Sequence, residues 1–292
     1  MTQQKQNGNL VAIITMFFIF AMISFVTNLA APFGTIWRNE YAGSNTLGMM
    51  GNMMNFLAYL FMGIPAGNML VKIGYKKTAL IAMAVGFLGL FTQYLSSLFG
   101  ANVEVFAFGE YVIKLNFVIY LLGAFICGFC VCMLNTVVNP MLDLLGGGGN
   151  KGNQLIQIGG VFNSSAAVAV YILMGALIGD ATKAHIADAT PALMIALAIF
   201  VIAFIVICFT KIDEPEQAPV DTSLIKGALS YRHFVLGIIG IFLYMGVEVG
   251  TPTYILQYLT SEEGGSMAAS TVGLIVAVYW LMMLVGRFIG GA

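Results

Sequence analysis

Charged side chains are scarce in this sequence. There are 12 basic and 13 acidic residues in 292, or 9% of the chain, against roughly 25% in a soluble domain. So thin a charged shell cannot cover a water-soluble globule of this size, and 60% of the residues are hydrophobic, with a mean hydropathy of +0.93. The bilayer is therefore the solvent for most of the chain. That excludes soluble enzymes, nucleic-acid-binding proteins and secreted disulfide scaffolds, and a net charge of −1 points to no polybasic or polyacidic partner. Histidine is nearly missing as well: His185 and His233 lie in or beside loops, and the apolar runs hold neither His nor Lys. A membrane enzyme built on a His/Asp or Ser/His set has nothing to work with, so no catalytic residue and no cofactor is expected. Cys127 and Cys130 form a CxxC inside an apolar run with only Cys132 nearby and no His, which reads as apolar packing and not as a metal site.

What is present is long apolar stretches between short charged intervals. Eight of them are long enough to cross ~30 Å of hydrocarbon as helix, at roughly 10–37, 45–71, 78–99, 116–145, 153–179, 191–210, 234–259 and 269–290. The runs are continuous and not alternating, which excludes a β-barrel. The polar start MTQQKQNGN leads directly into the first run without a separate cleavage site, so this is a retained span and not a signal peptide.

Lys and Arg set the orientation. With the N-terminus in the cytoplasm, the inside holds nine of them (Lys5, Lys72, Lys76, Lys77, Lys151, Lys211, Lys226, Arg232, Arg287) and the outside three (Arg38, Lys114, Lys183). The longest hydrophilic interval, 211–233, carries Pro215 and Pro219 and reads as a cytoplasmic linker between two bundles, residues 1–210 and 234–292. The segment 100–115 is an external loop with room for a short hairpin. The glycines at 146–149 form a flexible turn, and they lack the Lys-Ser/Thr or preceding strand of a phosphate loop. Asp143, near the inner end of span four, faces cytoplasmic water. Trp37 and Tyr41 are expected as interfacial anchors. Gly63-x-x-x-Gly67, Gly175-x-x-x-Gly179 and Gly286-x-x-x-Gly290 are expected to let helices approach closely.

Sliding the chain by 220 positions lays span one on span seven and span two on span eight, so that Asn28 meets Glu248 and Tyr59 meets Tyr279. Six spans, a cytoplasmic linker and the same plan again resemble a major facilitator superfamily transporter. Five segments in order resemble, more narrowly, the fucose–proton symporter family and its bacterial glucose/galactose-porter relatives: GIPAGNMLVKIGYKK at 63–77, LNTVVNP at 134–140, FNSSAA at 162–167, YMGVEVGTPTYIL at 244–256 and GRFIG at 286–290. The resemblance implies an all-α helical bundle in a bacterial inner membrane, comprising the first six-helix half and the start of the second. It also implies a monomer that exchanges a sugar and a coupling ion. The family has twelve spans, so the last four helices are expected to be missing from this chain.

Glu248 is the leading candidate for function. It sits half-way along span seven, where an ionised carboxylate costs ~2.5–3.5 kcal/mol even on the lenient insertion scale, so it should face the bundle interior or a wet cavity and exchange a proton there. Gly246, Gly250 and Pro252 loosen the helix around it. Asn28 in span one, Asn135 and Asn139 four apart in span four, and Gln154, Gln157 and Asn163 in span five add amides. Amides offer donors and acceptors that hold a sugar's hydroxyls without taking a proton, although any single one is as well explained by bonding a neighbouring helix. The resemblance places the family's span-one acid on Ala31, its span-four acid on Asn135 and its span-five amide on Gln157. The first-half proton carrier is thus absent, and Glu248 supplies one in the second half. It also makes Lys72, Lys76 and Lys77 a basic gating loop, with Asn68 where the family's acid stands, and Arg287 its second-half member. The expected function is secondary active transport of a neutral monosaccharide by alternating access with proton coupling, and not that of an enzyme or a channel; sodium-coupled symport, uniport and a non-transporting sensor remain as alternatives.

Overall fold

The structure, a computed structural model, describes residues 3–178, 183–210 and 227–291. Eight helices among them are long and apolar enough to cross a membrane. In chain order they are α1 (Gln3–Glu40), α2 (Asn45–Ile73), α3 (Tyr75–Leu98), α4 (Leu115–Leu145), α5 (Gly149–Ile178), α6 (Thr190–Phe209), α7 (Arg232–Thr260) and α8 (Ala269–Gly291). All eight expected spans are there, with ends that agree to about one helical turn except at the start of α1, which begins about two turns earlier. The linker segment 211–226, with Lys211, Pro215, Pro219 and Lys226, lies outside the described residues, as does Gly179.

Local chemistry sets the helix ends. Gly74 alone separates α2 from α3; its φ of +90° is open to glycine and strained for any side chain, and its amide still donates to the Leu70 carbonyl. Ser44 caps α2 by accepting the Leu47 amide. Pro32, Pro65, Pro140 and Pro252 sit inside helices, as membrane helices allow where neighbours satisfy the freed carbonyls. Between α3 and α4 the expected hairpin forms from β1 (Glu104–Phe108) and β2 (Tyr111–Lys114), antiparallel, with Phe108 opposite Tyr111. It marks one end of the bundle, the hairpin end. There the Lys114 amide donates to Tyr41 Oη at 3.1 Å, and Glu40 accepts the Ile186 amide at 3.1 Å. At the other end, which holds the start of α1, Lys76 Nζ donates to the Cys208 and Thr210 carbonyls at the end of α6, 2.8 Å each. A cation there complements the negative end of that helix.

α1 and α4 form the centre. α4 packs along α2 and α3, α1 along α2, α4 and α5, and α3 along α6. α8 packs more extensively on α5 than on its sequence neighbour α7. Lipid tails are as apolar as the side chains, so helix association depends on close packing. The closest approaches occur where glycines face backbone: a Cβ on Gly34 of α1 would lie 2.6 Å from the Gly48 carbonyl oxygen of α2, and one on Gly123 of α4 would lie 2.8 Å from the Gly89 carbonyl oxygen of α3. Cys127 and Cys130 lie fully buried along this α3–α4 seam, beside Gly89 and Gly86 respectively, which is the packing role expected of them.

Two expectations are corrected. Gly63, Gly67, Gly286 and Gly290 have nothing within 4 Å of where a Cβ would stand, and Gly175 meets Ser270 only at 3.9 Å. Among the described residues these glycines therefore make no close backbone contact, the nearest being Gly175 with the Ser270 Cα. Trp37 and Tyr41 are core residues and not interfacial anchors. Their side chains are buried among Phe117 and Tyr120, with Trp37 ring centroids 4.9 Å from Phe117 and 5.3 Å from Tyr120. α1 is central, so the polar-tipped aromatics at and just past its end are covered by α4.

Candidate functional site

A cavity of about 390 Å³ lies among α1, α2, α4, α5, α7 and α8, within the ~300–1,000 Å³ range of small-molecule sites. Six of the seven proposed ligand residues line it: Asn28, Asn135, Asn139, Gln157, Asn163 and Glu248. Gln154 does not. It is exposed and lies one turn nearer the helix start than Gln157, beyond the end of the lining.

Neighbouring groups hold the amides in place. Asn28 Nδ2 donates to the Ser24 carbonyl at 2.9 Å and to Ser24 Oγ at 3.1 Å. Asn135 Nδ2 donates to Tyr59 Oη at 2.9 Å and to the Val131 carbonyl at 3.2 Å. Asn139 Nδ2 donates to the Asn135 carbonyl at 3.0 Å, and Asn163 Nδ2 to the Phe20 carbonyl at 3.3 Å. Each amide nitrogen is thereby anchored while the side-chain oxygen is left to accept from a ligand. Phe20, Phe56 and Trp280 add aromatic surface to the lining.

Glu248 is buried and paired. Arg287 Nη2 donates to its Oε1 at 2.6 Å, with the two side chains 18% and 8% exposed. Arg287 was expected in the gating loop; the structure places it inside the cavity. The same nitrogen donates to Tyr244 Oη at 3.1 Å, while Nη1 donates to the Gly160 carbonyl and Ser164 Oγ on α5, at 3.0 and 3.1 Å. Tyr279 Oη donates to the Glu248 carbonyl at 3.3 Å. The repeat pairs found in the sequence thus gather here: Asn28 and Glu248 both line the cavity, and Tyr59 and Tyr279 each bond a cavity residue's helix. Sequence reasoning missed Arg287 as the partner of Glu248. A lone arginine inside the run 269–290 was itself the signal, because a charge at that depth needs a partner. Lys72 and Lys77 are exposed at the turn between α2 and α3, away from the cavity, and Lys76 is committed to the end of α6.

The cavity is closed toward the hairpin end. Ala31 of α1, Ala167 and Tyr171 of α5, Leu256 of α7, and Val272 and Val276 of α8 form a buried apolar cluster across it. Beyond that cluster the buried Arg38 joins α1 to the end of α7, donating from Nη1 to the Gln257 carbonyl at 2.5 Å and from Nη2 to Thr260 Oγ1 at 2.8 Å. On the other side the lining reaches Asn139, Ile156 and Arg287, each in the part of its helix nearer the start of α1.

Residues 13–292 match the family described as the Major Facilitator Superfamily. A glucose/galactose transporter of Brucella abortus biovar 1 is 29% identical over 303 aligned positions, covering all of this chain and 68% of that protein. The L-fucose-proton symporter of Escherichia coli K12 is 20% identical, over 94% of this chain and 65% of that one. A crystal structure of the transporter FucP in the outward conformation superposes with a TM-score of 0.73 at 18% identity, covering 97% of this chain and 71% of that one, which shows a shared fold.

Proposed function

The chain belongs to the Major Facilitator Superfamily, and on that premise we propose that it carries a neutral monosaccharide across a bacterial cytoplasmic membrane by alternating access. The observation that carries this is the cavity itself: five amide side chains surround a Glu248–Arg287 pair whose charges cancel. A charge-balanced, amide-rich site suits a neutral ligand with many hydroxyls, and penalises a free carboxylate or a cation that would meet its own sign. The Brucella relative is named for glucose and galactose and the Escherichia relative for L-fucose, all of one ligand class. Within this reading residues 1–210 are the first bundle, 211–233 the linker and 234–292 the first two helices of the second. Asn28, Asn135, Asn139, Gln157 and Asn163 bind the sugar, and Glu248 exchanges the coupling proton.

Uptake of radiolabelled sugars into proteoliposomes tests the substrate class. Saturable uptake of at least one hexose or 6-deoxyhexose is expected. Transport of a carboxylate or a cation, with every neutral sugar refused, would overturn the assignment.

The excess of Lys and Arg at the end holding the start of α1 supports a cytoplasmic N-terminus. The cavity then faces the cytoplasm and the hairpin the exterior. Cysteines placed at Val105 in β1 and at Lys72, with the exposed Cys208 replaced by Ser, should react with an impermeant maleimide from opposite sides of the membrane. Reaction of both from one side would contradict this topology.

A further inference from the structure

Four of the cavity amides are held in one orientation each. Asn28 Nδ2 donates to the Ser24 carbonyl, Asn135 Nδ2 to the Val131 carbonyl, Asn139 Nδ2 to the Asn135 carbonyl and Asn163 Nδ2 to the Phe20 carbonyl. A backbone carbonyl only accepts, so turning any of these amides over would set oxygen against oxygen. On two of them the hydrogens are also used up, because an amide nitrogen carries a single pair. Asn28 spends its pair on the Ser24 carbonyl and Ser24 Oγ. Asn135 spends its pair on the Val131 carbonyl and Tyr59 Oη. Thr27, also in the lining, gives its hydroxyl hydrogen to the Ile23 carbonyl at 2.9 Å. Arg287 is the richest donor at the cavity, yet its terminal nitrogens serve the protein. Nη1 bonds the Gly160 carbonyl and Ser164 Oγ, and Nη2 bonds Tyr244 Oη and Glu248 Oε1, which accounts for both hydrogens on each.

We propose that Thr27, Asn28 and Asn135, the α1 and α4 wall of this cavity, meet the sugar as acceptors alone, so that the hydroxyls they recognise must act as hydrogen-bond donors. This rests on the transport reading above and narrows its substrate class to sugars with free hydroxyls at the ring positions facing that wall. Fluorine or a methyl ether at such a position keeps lone pairs and loses the hydrogen, and those lone pairs then face the amide oxygens. A plain C–H there leaves the same acceptors unpaired without that repulsion. The wall therefore ranks a hydroxyl far above hydrogen, and hydrogen at least level with fluorine. A wall of donors would give the other order, since fluorine can accept. Ser24 and Tyr59 are the positioning residues behind this preference. Each takes the second hydrogen of its amide and so keeps that hydrogen from the ligand.

Equilibrium binding to the purified protein tests the ranking by calorimetry. The probes are D-glucose, D-galactose and L-fucose, the sugars for which the relatives are named, each beside its singly deoxygenated and singly fluorinated analogues. At two ring positions or more, both analogues should bind about tenfold more weakly than the parent sugar, the loss of one hydrogen bond. At those positions the fluoro analogue should bind no more tightly than the deoxy one. Tyr59→Phe removes the acceptor of the second Asn135 hydrogen, and Ser24→Ala that of the second Asn28 hydrogen. Either variant frees an amide hydrogen for the ligand and should let fluoro overtake deoxy at one position. A variant that merely disturbs the fold weakens every ligand alike, and the second variant serves if the first folds poorly. Fluoro analogues that bind more tightly than deoxy analogues at every position would overturn the proposal and leave the transport reading intact. A ranking unmoved in both variants would do the same. Refusal of all three parent sugars would contradict the transport reading, and the proposal with it.

Discussion

Glu248→Gln is expected to abolish sugar accumulation driven by a pH gradient while exchange of internal for external sugar continues at a reduced rate. One proton moved per sugar stores 1.36 kcal/mol per pH unit, so a coupled carrier reaches about tenfold accumulation per unit of gradient, and an uncoupled one reaches unity. Glu248 is the acid in the cavity lining, and the positions where the resembling family carries first-half acids hold Ala31, buried in the apolar seal, and Asn135. Glutamine keeps the shape and an acceptor for Arg287 Nη2 but cannot titrate. Exchange needs no net proton movement, so it survives, slowed because Arg287 has lost its counter-charge. Equal pH-driven accumulation in wild type and variant would remove Glu248 from coupling. Loss of exchange together with accumulation would assign it to sugar binding or folding instead.

Gly128→Leu should prevent stable folding. Gly128 lies on α4 against α2, and a Cβ there would run into the Asn55 carbonyl oxygen and lie 2.6 Å from Ala58 Cβ. Backbone is on the other side of that contact, so no side-chain rotation relieves it, and α2 and α4 must separate. Overpacking of a core costs ~1–3 kcal/mol when the structure can adjust, and more is expected where two helix backbones are forced apart. Gly63→Leu on the same α2 is the matched control: a Cβ there meets nothing within 4 Å, so a change within about 0.5 kcal/mol is expected. The monodisperse fraction in detergent and the midpoint of thermal unfolding compare the two. Equal stability of both variants would refute this α2–α4 packing.

These two residues also show what the sequence could and could not convey. Span positions were legible because a membrane demands ~20 apolar residues in a row and punishes charge, leaving a pattern that needs no knowledge of neighbours. Glu248 and the amides were legible for the same reason, since a polar group at that depth must face something polar. The offset of 220 positions pairs Asn28 with Glu248, and both line the cavity. The identity of each partner was not legible. Arg287 lies 39 positions from Glu248, and only the packing of α8 on α5 and α7 brings it to the carboxylate. Gly128 belongs to no small-residue motif singled out in the sequence, whereas Gly63 and Gly67 do and pack against nothing close. Trp37 looked like an interfacial anchor because it ends a span. Its burial depends on the position of α1 at the bundle's centre, a property of the assembled helices and not of α1 itself.

Trp280 permits a direct reading of whether this cavity binds a neutral monosaccharide through its amides. The chain has two tryptophans; Trp280 lines the cavity, whereas Trp37 is buried in the aromatic cluster with Phe117 and Tyr120. Fluorescence of the purified protein is titrated with a panel of hexoses, 6-deoxyhexoses, hexuronates and amino acids. A saturable change with at least one neutral sugar is expected, and about tenfold weaker binding in Asn135→Ala, the loss of one well-formed hydrogen bond at ~1.4 kcal/mol. A response to hexuronates or amino acids alone, or a neutral-sugar affinity untouched in Asn135→Ala and Gln157→Ala alike, would contradict it.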